Sequence, residues 1–175
     1  MVENLTNEDT EPGRCAAKAS VVKGISTGAP RLVSWNITLR CPPKCSRCYV
    51  KAGENETAGV LSTDEALAVI DRSRDVGTPV VVPSGGEPLM RTDLRTIAGY
   101  GTEQGPRMAM GTGGCFLGHS MAARFWVAGI RSVAVGIDFA DPAVRDSSRG
   151  VSGACEKAVQ AIRIAAMRVS GFGST

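Results

Sequence analysis

Three cysteines fall within residues 41–48, in the stretch Leu39–Tyr49, LRCPPKCSRCY. The chain has six cysteines, and the other three (Cys15, Cys115 and Cys155) stand singly. The thiolate is a soft metal ligand and a nucleophile. In the reducing setting expected for this chain, clustered thiols point to metal or redox chemistry rather than disulfides. A structural zinc ion takes four protein ligands, usually from two separated pairs, and no second pair follows here. Cys115 or Cys155 would have to complete the set from far along the chain. Three thiolates on a [4Fe–4S] cluster leave one iron without a protein ligand, open to a small molecule, and that is a catalytic arrangement. Ligand count favours iron–sulfur over zinc, and zinc over cysteines with no metal.

Other residues with chemical potential are Ser84–Pro88 (SGGEP), Gly111–Gly114 (GTGG) and Asp138. Alone, SGGEP reads as an ordinary strand-to-helix turn, and Asp138 has a second reading as the lead-in to a turn at Asp141-Pro142. His119, the one histidine, reads as a surface or capping residue. Met108 and Met110 alternate and read as core. Arg40, Lys44, Arg47 and Lys51 flank the cysteines. They are either a solvated loop or a docking face for an acidic electron-donor protein or an anionic substrate.

The elements that position these residues repeat. Residues 31–39, RLVSWNITL, form a strand candidate ending at the cysteine loop, where two prolines exclude helix. A helix follows, with Ser62 and Glu65 as a capping box, an apolar side at Leu67, Val69 and Ile70, and a stop at Gly77. TPVVVPSGGEP is continuously apolar and reads as a strand buried on both faces. Thr92 caps a helix over 93–104, and RMAMGTGG is a third strand. HSMAARFWVAGI reads as a helix capped by Ser120 and closed at Gly129. RSVAVGID is the fourth strand, and SGACEKAVQAIRIAAM the fourth helix. Four βα units in series require parallel strands with right-handed crossovers. An open doubly wound sheet and a barrel both satisfy this. In both, sites lie beyond the C-terminal strand ends, where the cysteine loop, SGGEP, GTGG and Asp138 all fall.

The bulk composition agrees with a folded domain. The chain has 175 residues, 43% apolar and 21% charged, with a net charge of +3. That charge, without a basic run, speaks against nucleic acid. No apolar stretch reaches the ~18 residues of a membrane span. The polar, acidic start MVENLTNEDTEPGR is unlike a signal peptide, so the expected setting is the cytoplasm. Residues 1–30 read as a loose leader and 31–175 as the core domain.

The spacing C-x3-C-x2-C after a first strand, with SGGEP about 40 residues later after the second, resembles the radical S-adenosylmethionine (radical SAM) enzymes. The resemblance runs from about Arg31 to Met167, strongest in WNITLRCPPKCSRCY and VVVPSGGEPLMRTDL. It implies a partial (β/α)6 TIM-like barrel, of which about four units are present, so that the chain reads as the first two-thirds of a core. It implies that Cys41, Cys45 and Cys48 ligate a [4Fe–4S] cluster whose open iron chelates the methionine end of S-adenosyl-L-methionine (SAM). Gly85, Gly86 and Glu87 then hold the SAM amino group, and Asp138 lies near the ribose. Reductive cleavage of SAM to a 5′-deoxyadenosyl radical, hydrogen abstraction from a peptide or small-molecule substrate, and an electron donor such as ferredoxin or flavodoxin follow from the same resemblance. The phrasing WNITLRCPPKCSRCYVKAG is most similar to the branch that matures peptides, haem and metal cofactors. The sequence departs from the family pattern at Arg47, where an aromatic or His is usual, at Gly113, at Gly136 and in Phe125–Val127. Competing readings are a zinc-stabilised βα domain without catalysis and a radical SAM enzyme acting on RNA.

Overall fold

The computed structural model describes residues 28, 30–55 and 58–170. Cys15 and the predicted leader, apart from residues 28 and 30, lie outside the described residues. The element order is β1 (Val33–Thr38), α1 (Thr63–Asp75), β2 (Val80–Gly85), α2 (Leu94–Gln104), β3 (Arg107–Thr112), α3 (His119–Val127), β4 (Ser132–Val135), α4 (Pro142–Arg149) and α5 (Ala154–Ser170). The strands are parallel and lie in the order β1-β2-β3-β4. With right-handed crossovers, an unreversed order puts the covering helices on one face, which is barrel winding. A doubly wound sheet would reverse its order, so topology decides what periodicity left open. Accordingly α1 packs on α2, α2 on α3 and α3 on α5.

The core lies between this helix layer and the outer face of the sheet. Ile37, Ile70, Val81, Leu94, Ile97, Met108 and Met110 are buried in it, each stabilising the fold by about 1.5–3 kcal/mol. Helix α1 is fixed locally. The Ser62 hydroxyl accepts from the Glu65 N–H, the Glu65 carboxylate accepts from the Ser62 N–H, and Gly77 takes the left-handed turn just past the end.

Five expectations need correction. Strand β2 is buried on one face only: Val81 and Pro83 are buried, whereas Val80 and Val82 are half-buried because they face the concave side, where no second layer sits. Thr92 does not cap α2. The helix starts after Asp93, whose carboxylate is held by Arg91 at 2.7 Å and by the Thr63 hydroxyl at 2.6 Å. Ser120 does not cap α3, because Gly118 occupies the cap position, following the buried Leu117. Strand β4 stops at Val135, short of Asp138. Finally, the fourth unit holds two helices. The sequence reading missed α4, although Asp141 caps it, Pro142 opens it and Gly150 closes it at φ 63°.

The ladder is uneven. β1 and β2 pair from Val33↔Val81 to Thr38↔Gly85, and β3 and β4 pair from Ala109↔Ser132 to Thr112↔Val135. Between them β2 and β3 pair only at Val80↔Arg107 and Val81↔Met108.

Candidate cofactor-binding cleft

The cysteine loop leaves β1 at Thr38 and is closed at its base by backbone bonds. Cys41 N–H donates to the Gly53 carbonyl at 2.6 Å, and Gly53 N–H donates to that of Leu39 at 3.0 Å. Within the loop, Cys48 N–H donates to the Cys45 carbonyl at 3.2 Å, and Ala52 N–H donates to Cys48 Sγ at 3.2 Å. Pro42 and Pro43 carry no N–H, so that limb of the loop has no donors to satisfy. The loop is seated by the end of β2. Gly86 N–H donates to the Thr38 carbonyl at 2.8 Å, and Glu87 N–H donates to the Arg40 carbonyl at 2.7 Å. A Cβ on Gly86 would lie 2.5 Å from the Arg40 oxygen. The glycine is therefore required by the approach of the loop backbone.

These contacts shape a cleft of about 470 Å³. Cys41, Cys45, Cys48, Gly85, Gly86 and Asp138 all line it, with Arg149, Tyr49 and Phe139. The structure thus brings together six of the seven residues singled out from the sequence. Glu87 is the exception: it is 2% exposed and lies behind the wall. Its carboxylate accepts from the Thr112 hydroxyl at 2.8 Å, from Gly113 N–H at 3.1 Å and from Leu89 N–H at 3.2 Å. Burial raises the Glu87 pKa, and these donors oppose that shift without cancelling it.

Arg149, unmarked in the sequence, lines the cleft together with Arg47. Its Nε donates to Asp138 Oδ2 at 2.7 Å, and its Nη1 donates to Cys45 Sγ at 3.8 Å. Burial alone would lower its pKa, but Asp138 and Cys45 more than offset this and hold it above the usual value. Burial, followed by the charges of Glu87, Cys45 and Cys48, pushes the Cys41 thiol up to about 12. Ser148 was also missed, whereas Thr112 belongs to the GTGG stretch singled out from the sequence. Thr112 binds Glu87, and the Ser148 carbonyl accepts from Ser46 N–H at 2.9 Å, tying α4 to the cysteine loop. The signal for Arg149 and Ser148 was the unrecognised α4, whose Asp-Pro start and Arg-Gly end are standard helix punctuation.

The donor chemistry fits an iron–sulfur cluster. Three half-buried, unbridged thiols on one loop border a single cleft. Among the described residues, no three Cys, His, Asp or Glu side chains converge on a point suited to one metal ion. A cluster takes its thiolates at separate iron corners, and its positive charge would offset the burial that pushes the Cys41 thiol up. Cys115 and Cys155 stand apart, each half-buried, and neither lines the cleft. His119 is exposed at the start of α3. A second cavity, about 400 Å³ and mostly apolar, lies between α3, β4 and α5.

The model of the radical SAM superfamily matches residues 35–172, and the chain belongs to that family of enzymes. It is 38% identical over 138 residues to the AdoMet-dependent heme synthase of Methanosarcina barkeri, covering 79% of this chain and 40% of that enzyme. It is 34% identical over 140 residues to the pre-heme d1 synthase of Dinoroseobacter shibae, covering 79% of this chain and 34% of that one. The fold is similar to that of Streptococcus suis SuiB bound to the precursor peptide SuiA. The TM-score is 0.64 at 14% identity, over 78% of this chain and 30% of SuiB. The chain therefore spans well under half the length of these relatives. Among the described residues, no helix is long and apolar enough to cross a membrane.

Proposed function

We propose that the cleft holds a [4Fe–4S] cluster on Cys41, Cys45 and Cys48 and binds SAM against its open iron. The observation that carries this reading is the meeting of three thiols, two glycines and the Arg149–Asp138 pair in one cleft at the strand ends. When bound, the cluster and SAM supply a one-electron cleavage that yields methionine and a hydrogen-abstracting 5′-deoxyadenosyl radical. The protein's own part is to bind and orient. Gly85 and Gly86 present backbone to the ligand, and Arg149 is the group that would take a carboxylate. Glu87 acts from behind the wall, since its charge is felt at both Cys41 and Arg149 and favours an ammonium in front of them. Asp138 lies at the polar rim for a ribose hydroxyl.

The substrate class proposed for the whole protein is a haem or related tetrapyrrole precursor. The support is that two relatives covering most of this chain are named for heme and pre-heme d1 synthesis. An acidic one-electron carrier such as ferredoxin or flavodoxin is the proposed donor, and the basic residues Lys44, Arg47 and Lys51 beside the cleft suit it. The test is anaerobic reconstitution. About four iron and four sulfide per chain are expected, lost in Cys41→Ala, Cys45→Ala and Cys48→Ala and retained in Cys115→Ala and Cys155→Ala. SAM should then alter the EPR spectrum of the reduced cluster. Stoichiometric zinc without sulfide would overturn the reading.

A further inference from the structure

Helix α4 is held down by an arginine. Of its residues only Arg145 is buried, at 0% exposure, while Val144 is 46% exposed. Arg145 Nη2 donates to the Gly136 carbonyl at 2.7 Å and to the Gly113 carbonyl at 3.4 Å. Those glycines are the first residues past β4 and β3. Arg145 Nε and Nη1 are buried without a partner, and among the described residues no carboxylate forms an ion pair with this guanidinium.

Stability alone does not call for such a residue. An apolar side chain of similar length would fill the space without desolvating a charge. What the side chain supplies instead is one charged nitrogen, Nη2, that binds two strand-end carbonyls at once and so sets their distance from the helix. The other tethers of α4 lead elsewhere. Asp146 accepts from Gly153 and Cys155 N–H at the start of α5, and the Ser148 carbonyl accepts from Ser46. Neither touches β3 or β4. One turn beyond Arg145, Arg149 reaches Asp138 and Cys45. Its placement therefore depends on how high and at what rotation α4 sits over the strand ends.

We infer that Arg145 is a positioning residue: by clasping the Gly113 and Gly136 carbonyls it sets α4 so that Arg149 meets Cys45 and Asp138. It does not touch the ligand and acts through Arg149. One of its two readouts rests on the proposed SAM site, and the other needs no cofactor.

The experiment uses the 175-residue chain as wild type, Arg145→Met, Arg145→Lys, Arg149→Met and the double Arg145→Met/Arg149→Met. The first readout is amide hydrogen exchange by mass spectrometry without cofactor. Arg145→Met should speed exchange across residues 136–150 by roughly tenfold and leave α1 unchanged, as local opening does, with Arg145→Lys in between. The second is SAM affinity of the reconstituted protein, read from the EPR titration. Each single Met variant should weaken it by about tenfold, and the double should be no weaker than Arg149→Met, because the two act in one chain of contacts. Wild-type exchange in a folded Arg145→Met protein would overturn the inference, since the side chain would then only fill space. An additive double mutant would overturn it too, by showing that Arg145 acts apart from Arg149. If Arg145→Met fails to fold, wild-type exchange and affinity in Arg145→Lys would be the overturning result, and an intermediate loss the supporting one. If wild-type protein takes up no SAM, the proposed function fails, and the exchange measurement still decides the role of Arg145.

Discussion

Helices α1 and α4 are held to the sheet by different physics. Helix α1 caps itself through Ser62 and Glu65 and buries Ala66 and Ile70 in the core. Its cap and its apolar stripe are set within its own segment, and polar contacts from Thr63, Asp71 and Arg74 add ties to α2 and the residue before it. Helix α4 buries no apolar residue. It hangs on polar contacts to the cysteine loop, the ends of β3 and β4, and the start of α5. Apolar burial is non-directional, so a helix held that way tolerates small shifts. Hydrogen bonds weaken steeply with angle and distance, so a helix held by them sits in one place. The first kind covers the layer that stabilises the fold. The second kind covers the cleft, where placement matters more than strength.

The contrast can be tested at both ends. The largest effect on stability is expected from Ile70→Ala on the α1 side, about 2–5 kcal/mol by urea denaturation. A loss below about 1 kcal/mol would mean that α1 is not a main support of the sheet. On the cleft side, Gly86→Ala forces a methyl against the Arg40 carbonyl. It should cost about 1–3 kcal/mol and lower iron content in step, because the cysteine loop is seated there. Unchanged iron with lost stability would separate the loop from its seat. Glu87→Gln keeps the shape and removes the charge. It should weaken SAM binding by about 1–3 kcal/mol and also lower the melting temperature, because a glutamine NH2 cannot accept the bonds now given by Thr112, Gly113 or Leu89. Lost stability with unchanged SAM affinity would make Glu87 a structural residue only.

The smallest effect belongs to the α1 cap, where Ser62→Ala should cost about 1 kcal/mol in thermal melts. Its pH dependence has a defined sign. Bonds from the Ser62 N–H and hydroxyl hold the Glu65 carboxyl below its usual 4.5. The stability it adds is therefore present above that value and lost as pH falls through the lowered folded one. Asp146 is lowered in the same direction, from 3.8, by the Cys155 and Gly153 N–H groups, so both helices should loosen only as pH falls below these ordinary carboxyl values. Glu65→Gln should remove the α1 part of that acid response and leave the α4 part.

Local signals carried most of the fold. The capping box, the Val-rich run before SGGEP and the left-handed glycine after α1 are each decided within a few residues, and each stands where expected. The cysteines and glycines of the cleft were legible because ligand spacing and backbone approach restrict residue type. Arg145 and Arg149 were not. Their partners lie up to 104 residues away, and on an eight-residue polar helix two arginines look like a solvated face. Helix α4 itself was readable from Asp141-Pro142 and Gly150 but was absorbed into a turn. The burial of β2 was misjudged for another reason. A continuous apolar run says that both faces avoid water in the complete layer structure, and not which layers cover them here.

The short pairing between β2 and β3 has a mechanical consequence. Past Val81 and Met108 no ladder joins the two strands, and at their upper ends Glu87 spans the gap to Thr112 and Gly113. The sheet is thus two firmly riveted strips with a tear line between them, sewn at the bottom by backbone and at the top by the Glu87 carboxylate and, through α4, by the Ser46–Ser148 and Cys45–Arg149 contacts. A load drawn across the strands falls on those upper stitches. Cutting the carboxylate stitch with Glu87→Ala should lower the force at which β1–β2 peels from β3–β4 in a single-molecule pulling experiment, with each strip still paired within itself.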